Sequence, residues 1–216
     1  MSCDIDYAAT VMSSVEVACW VMGAENPDGS TSRFGLEAAP GGLCLAQDLL
    51  NTAALAAAVL PDLLADVATA RPWLDESLRR WSDQTGQSRP SIAIGKKDLP
   101  ALRELREVTH GWLSHEVTDH PPRHVQVNVV HRDARLIYQP DGLGAAGVAS
   151  LVTLEILLAS RTGTLRRLKL CLNPACRAAF YDLSRNGTRV WHDKETCGNA
   201  INLRASRARR RESSGL

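Results

Sequence analysis

The chain has 216 residues, of which 44% are hydrophobic, 23% charged and only 5% aromatic. That length suits one large domain, or a domain plus a small module, and the composition excludes a fully disordered chain, collagen and a disulfide-dense miniprotein. The net charge of +1 hides two bodies of opposite sign: Arg166 to Arg211 carry twelve Arg/Lys against three acidic residues, a net +9, whereas residues 1–165 sum to −7. Such asymmetry suggests a polyanion partner for the basic end, set against the plainer reading of a solvated tail.

Val15, Val17, Cys19 and Val21 alternate as in a half-buried strand. Glu25 to Ser32 is turn-rich, and Pro40-Gly41-Gly42 breaks the chain. Leu43 to Leu60 reads as one helix, and Arg71 to Trp81 as another with Trp73 and Trp81 near one face. The clearest helix starts at Asp98, a plausible N-cap ahead of Pro100. Leu102, Leu105, Val108, Trp112 and Leu113 follow helical spacing, and the helix should stop before Pro121-Pro122.

Val125–Val130 and Arg135–Gln139 predict a β-hairpin around His131–Ala134. Gly142, Gly144 and Gly147 fit a GxGxxG pattern. A dinucleotide fingerprint needs a βαβ unit and an acidic residue about 20 positions on; neither is present, so the glycines read as the entry to a helix over Val148–Arg161. Thr162-Gly163-Thr164 marks the boundary to the basic module. The longest apolar run, Ala53–Leu60, is far short of the ~20 residues that span a bilayer. Met1–Asp6 lacks the basic start of a signal peptide. The expectation is a cytoplasmic protein without a membrane partner, whose cysteines are thiols or metal ligands.

Cys171, Cys176, His192 and Cys197 form two short-spaced pairs, C-x4-C and H-x4-C, fifteen residues apart. Two such turns joined by a loop are what a tetrahedral structural zinc needs. Asn173-Pro174 favours the first turn, and Gly198 reads as a residue that lets the backbone bend at the second. A segment of about 45 residues this basic cannot bury much core, so a metal is the expected staple. Four candidate ligands favour one closed, structural Zn2+ over a catalytic site with an open position. Cys3, Cys19 and Cys44 read as buried apolar residues. His110, His115, His120, His124 and His131 read as surface histidines. No serine-nucleophile motif, P-loop or HExxH helix is present, so no enzyme is expected.

The stretch Leu170 to Cys176, then Phe180-Tyr181-Asp182-Leu183-Ser184-Arg185-Asn186-Gly187-Thr188-Arg189-Val190-Trp191-His192, then Thr196 to Asn199, resembles the CGNR zinc finger. This finger occurs in bacterial proteins regarded as transcription regulators, often stress-linked. Leu43-Cys44-Leu45 with Asn51-Thr52, and Leu102 to Arg106, are similar to the ABATE domain that usually precedes it. The resemblance implies four zinc ligands and a regulatory role. Two positions depart from its pattern: His192 stands where the family usually has Cys, and Ala200 replaces the signature Arg.

Past Cys197 a helix is expected through Arg211, with Ile201, Ala205 and Ala208 packed on the zinc knuckle and Arg204, Arg207 and Arg211 on another face, set to meet phosphates. Arg185 and Arg189 extend that surface, and Asn199 and Asn202 supply polar contacts. Five arginines on duplex DNA would give a log K against log salt slope of about −4.5. Trp191 reads as packing, Phe180 and Tyr181 as one buried and one exposed, and Asp182 as the partner of a nearby Arg.

The expected fold is α+β. A mainly helical N-terminal domain with a small β-hairpin (residues 1–164) precedes a zinc module ending in a helix (165–211) and a short tail (212–216). The expected function is a transcription regulator that binds duplex DNA through the arginine-rich module. Its N-terminal domain would serve a small-molecule ligand or homodimerisation. The alternative is an RNA-, ribosome- or protein-binding zinc module.

Overall fold

A computed structural model describes residues 29–55, 59–115 and 124–214. Expectations for Val15–Val21, Cys3, Cys19, His120 and Pro121-Pro122 lie outside the described residues. Among the described residues five α-helices and two small hairpins follow in order: α1 (Leu43–Leu50), α2 (Val67–Thr85), α3 (Leu99–Leu113), β1 (Val127–Arg132), β2 (Arg135–Pro140), α4 (Ala145–Thr162), β3 (Leu168–Leu170), β4 (Ala179–Tyr181) and α5 (Asn199–Ser214). Both sheets are two-stranded and antiparallel. The α+β class and its order, a helical body and then a zinc module ending in a helix, match the sequence reading.

The helix expected over Leu43–Leu60 ends ten residues early. Every residue of α1 is buried, and the chain turns at Asn51 because that side chain is used elsewhere, across 128 residues, on Ala179. Thr52 Oγ1 donates to the Leu49 carbonyl at 2.6 Å, and an antiparallel bridge joins Leu55 to Leu60. The second helix is longer than expected. Asp66 caps it by accepting from Ala68 N, and Pro72 sits inside its second turn without ending it, at the loss of one backbone bond.

Asp98 does not cap its own helix. Its carboxylate accepts from Gly95 N at 2.8 Å and, across the fold, from Ala145 N at 3.1 Å at the start of α4. Those two backbone bonds hold the Asp98 carboxyl below its ordinary value. This settles the GxGxxG segment. Gly144 has φ +56, and a Cβ there would lie 2.2 Å from Asp98 Oδ1; a Cβ on Gly147 would lie 2.9 Å from the Gly142 carbonyl. The place a pyrophosphate would take at this helix N-terminus is filled by the protein's own carboxylate.

The core gathers Leu43, Leu45, Leu49, Leu64, Trp81, Leu102, Leu151 and Val152 from α1–α4 and the loop after α1. Glu155 is buried in α4, where it accepts from Trp81 Nε1 at 2.7 Å and Tyr138 Oη at 2.5 Å. A Cβ on Gly42 would fall on that carboxylate, so only glycine fits at the start of α1. By length and composition α4 is apolar enough to cross a bilayer, although its apolar residues do not form one continuous run, but 56% of it is buried inside this fold. Cys44 is buried as expected, its thiol pushed up to about 12 first by burial and then by Asp48. Asp48 is paired with Arg80 at 3.0 Å and hydrogen-bonded by Ser30 and Thr31.

The hairpin β1–β2 turns at Asp133 and Ala134, both at positive φ, and starts and ends slightly later than expected. Leu168 and Ala179, from the second hairpin, lie in the same apolar core as α1–α4. The module is therefore seated on the body rather than tethered to it.

Candidate functional site

Each ligand turn is built by local backbone geometry. In the first, Cys176 N and Arg177 N both donate to the Asn173 carbonyl, at 2.8 and 3.3 Å, while Asn173 Oδ1 accepts from Ala175 N. The turn closes on the hairpin through Cys171 N and the Ala178 carbonyl at 2.9 Å. In the second pair His192 precedes, and Cys197 lies within, a single wide turn, Lys194–Gly198, capped by Asp193, whose carboxylate accepts from Thr196 N and Oγ1 at 2.6 and 2.7 Å. That cap holds the Asp193 carboxyl below its ordinary value.

These turns bring Cys171, Cys176, His192 and Cys197 together, with one ligand atom of each within 4.8 Å of all the others. His192 Nδ1 stands 3.3 Å from Cys176 Sγ and 3.5 Å from Cys197 Sγ. A tetrahedral zinc with Zn–S ~2.3 Å and Zn–N ~2.0 Å places its ligand atoms roughly 3.5–3.8 Å apart. The quartet fits one structural zinc. Electrostatics point the same way. Three crowded thiols cannot all ionise beside one another: the hydrogen bond between Cys171 and Cys176 holds Cys171 well below the ordinary thiol range and drives Cys176 upward, helped by its burial. A divalent cation removes the conflict by neutralising the thiolates together.

The shell around the quartet comes largely from the body, which sequence reasoning missed. Leu55 is buried in the same cluster as the three cysteines and Ala178, with Phe34, Leu36, Leu60 and Trp191 against it. Phe34 meets the His192 ring edge-on, centroids 6.3 Å apart. Asn173 Nδ2 donates to Cys197 Sγ at 3.3 Å, the kind of bond that steadies a ligand thiolate. Trp191 packs as expected. Gly198 is not at a positive φ; what it supplies is room, since a Cβ there would stand 3.2 Å from Trp191 Cδ1.

A clamp joins module to body. The Asn51 side-chain amide pairs with both backbone groups of Ala179, accepting from its N–H and donating to its carbonyl, each at 2.9 Å; Gln47 donates to the same carbonyl at 3.2 Å. At the rim, Arg177 donates to Glu107 at 2.9 Å and to His110 Nε2 at 3.2 Å.

The loop between the ligand pairs hangs on Asp182, which is fully buried. Its partner is Lys169 at 2.8 Å, not the arginine expected from sequence. Ser184 N, Ser184 Oγ and Arg189 N also donate to it. Burial alone would raise this carboxyl; the bonds from Lys169, Ser184 and Arg189 outweigh burial and hold it far below the ordinary carboxylate range. Lys169 also donates to the Gly187 and Arg189 carbonyls. Phe180 is buried and Tyr181 half-buried.

Arg185 is exposed on this loop. Arg189 is exposed too, but its guanidinium lies 5.3 Å over the Phe180 ring and donates to the His192 carbonyl. In α5, Ala200 and Ile201 are half-buried against the knuckle end, whereas Asn199, Asn202, Arg204 and Arg207 are exposed. The expected stripe does not pack: Ala205 is exposed. Ala200 and Ile201 in the first turn are half-buried, and Asn202, Leu203, Arg204 and Ala205 after them are all exposed, so the helix projects from the module beyond that turn. Arg211 falls in the last described turns of the helix.

Residues 167–210 match the CGNR zinc finger family, and residues 43–169 match the ABATE family, described as "putative stress-induced transcription regulator". No curated protein matches the chain.

Proposed function

The chain belongs to the ABATE family and carries a C-terminal CGNR zinc finger, and from that premise we propose that it is a cytoplasmic transcription regulator that binds duplex DNA through α5 and the loop bearing Arg185. The observation that carries this reading is the projection of α5. A helix holding Arg204, Arg207, Arg209, Arg210 and Arg211 leaves the module after one turn, with Arg204 and Arg207 exposed. Zinc fixes the base of that helix through the turn at Lys194–Gly198.

In this reading Arg185, Arg204, Arg207 and Arg211 meet phosphates, and Asn199 and Asn202 face the bases. Arg189, spent on Phe180 and His192, braces the loop. The signature Arg replaced by Ala200 would stand at the half-buried base of the helix, so its loss leaves the exposed face intact. The body holds the regulatory input, either a second copy of the chain or a small molecule. A cleft of about 780 Å3 between α2 and the extended segment after it, lined by Arg71, Leu74, Leu78, Arg89, Ile92 and Ile94, supports the small-molecule option.

The test is anisotropy of a labelled 30-base-pair duplex with the zinc-loaded chain from 50 to 200 mM salt. Four phosphate contacts give a log–log slope of about −3.6. The Arg204→Ala/Arg207→Ala double variant flattens it by about 1.8. An unchanged slope rejects the helix assignment. Tighter binding of a structured RNA than of the duplex at matched salt favours the RNA-binding alternative.

A further inference from the structure

The hairpin β1–β2 has one edge closed and one edge open. Arg132 and Arg135 flank its two-residue turn, Asp133-Ala134. Residues flanking such a turn exchange both backbone bonds, and the pattern then alternates along the ladder. Asn128 and Val130 therefore bond to β2, while Val127, Val129 and His131 turn their N–H and C=O groups outward. Two observations agree with that alternation. Asp141 N donates to the Gln126 carbonyl at 3.0 Å, the next bonded pair. On β2, Leu136 and Tyr138 stand opposite His131 and Val129 and turn outward on the far side, where Gln87 donates to the Leu136 carbonyl at 3.2 Å and accepts from Tyr138 N at 3.1 Å.

Gln87 thus closes the β2 edge. The β1 edge has no counterpart: among the described residues, none bonds to the outward backbone groups of Val127, Val129 or His131. Open edges invite another strand, and lysine, proline or a bulge normally guards them. Val127–His131 carries no lysine or proline and pairs with β2 without a bulge. Every residue of β1 after Val127 is exposed. Val129 keeps 64% and Val130 42% of its surface in solvent, on opposite faces of the ribbon, and Leu136 keeps 66%. A two-stranded ribbon with so little burial is marginal by itself.

We propose that β1 pairs with β1 of a second copy of this chain, antiparallel about a two-fold axis at Val129, to make one four-stranded sheet. This rests on the second-copy option for the body given above, names its surface, and needs no DNA. In that register the strand is self-complementary, as a two-fold interface requires. Val129 meets Val129 of the partner copy and Val127 meets His131; all carry outward backbone groups, so about six hydrogen bonds form. Each side chain meets one on its own face of the sheet. Asn128 stands opposite Val130 and Gln126 opposite Arg132, so no like charges meet. Asp141, bonded to Gln126, extends that last row and brings a carboxylate toward Arg132 of the partner copy. Moving the axis to Val130 would set Val127 against the turn residue Asp133 and lose its pair. A foreign strand would find the same backbone groups but not these matched side chains.

The test is sedimentation equilibrium of the zinc-loaded full chain from about 1 to about 200 µM, beside backbone amide exchange. The expected result is a concentration-dependent rise from 23.5 kDa to twice that mass, with the amides of Val127, Val129 and His131 protected only in the dimer. Val129→Pro removes an outward N–H that the hairpin does not use, and Val129→Lys adds an edge guard. Each raises the dimer dissociation constant by about tenfold or more, with zinc content unchanged; the lysine variant reads the interface even where proline distorts the hairpin. A chain monomeric throughout that range, a dimer that both variants leave intact, or a dimer without added protection at those three amides overturns this inference. A monomer that still binds duplex overturns it and leaves the DNA-binding reading standing; a β1-paired dimer that ignores duplex supports it and overturns that reading alone.

Discussion

In the body, α1 is buried on every side by its neighbours, and the buried set includes Trp81, Leu102, Leu151 and Ile156. Around the ligands of the zinc module, the buried apolar set shrinks to Leu55, Ala178 and three cysteines. The body can fold on hydrophobic burial, at about 25 cal/mol per Å2 of apolar surface. The module cannot, because beside its three thiols the described residues bury only Leu168, Ala178, Ala179 and Phe180 as apolar side chains, and the segment Arg166 to Arg211 carries a net +9. It draws on a metal and on the body instead. The difference teaches that the module's stability is borrowed in part: Phe34, Leu36, Leu55 and Leu60 roof the ligands, and Asn51 closes the backbone of β4.

The largest effect should come from the metal. Structural zinc sites contribute about 10–16 kcal/mol in isolated fingers. Chelation, or Cys197→Ser, should lower the melting temperature of the whole chain, because Leu168 and Ala179 belong to the body core. Metal analysis beside a thermal melt checks this; a body transition that ignores zinc would break the link between the two regions.

Next comes Leu102→Ala, fully buried in α3. It should cost about 2–5 kcal/mol in urea unfolding while zinc content stays at one per chain. Asn51→Ala strikes the clamp itself. It strands the Ala179 N–H, while the carbonyl keeps Gln47, and should cost about 1–3 kcal/mol. Unlike Leu102→Ala, it should also weaken zinc retention against a chelator.

Asp182 sharpens the contrast through pH. Its carboxyl is held low in the folded state, so its contribution is present above the unfolded value of about 3.9 and is lost as pH falls through the lower folded value. The urea-midpoint difference between the parent and Asp182→Asn should therefore stay flat from pH 5 to 8; a slope inside that window would contradict a carboxyl held low. The smallest effect belongs to the rim. Arg177→Ala removes an exposed pair with Glu107 and should cost no more than about 1 kcal/mol.

Much of this was legible in the sequence, where the information is local. The zinc quartet is two turns whose spacing is written in the chain, and the hairpin β1–β2 and the cores of α2, α3 and α4 follow from periodicity. Where the reading failed, a distant residue had intervened. Leu43–Leu60 carries enough apolar residues for one long helix, but Asn51 leaves it to pair with Ala179. Asp98 has the form of a cap for α3, but caps α4. Ile201 and Ala205 have helical spacing, but only Ile201 of the two is half-buried and Ala205 is exposed.

The sequence by itself determined the ligands, the charge division and the order of the helices and the first hairpin, because each depends on residues a few positions apart; the hairpin β3–β4 it did not record. Only the tertiary structure decided that the body roofs the metal, that Asn51 and Gln47 bind the module's backbone, that Lys169 rather than an arginine neutralises Asp182, and that α5 projects beyond its first turn. Those outcomes depend on which surfaces meet and which polar groups would otherwise be buried unpaired, and no local pattern records either.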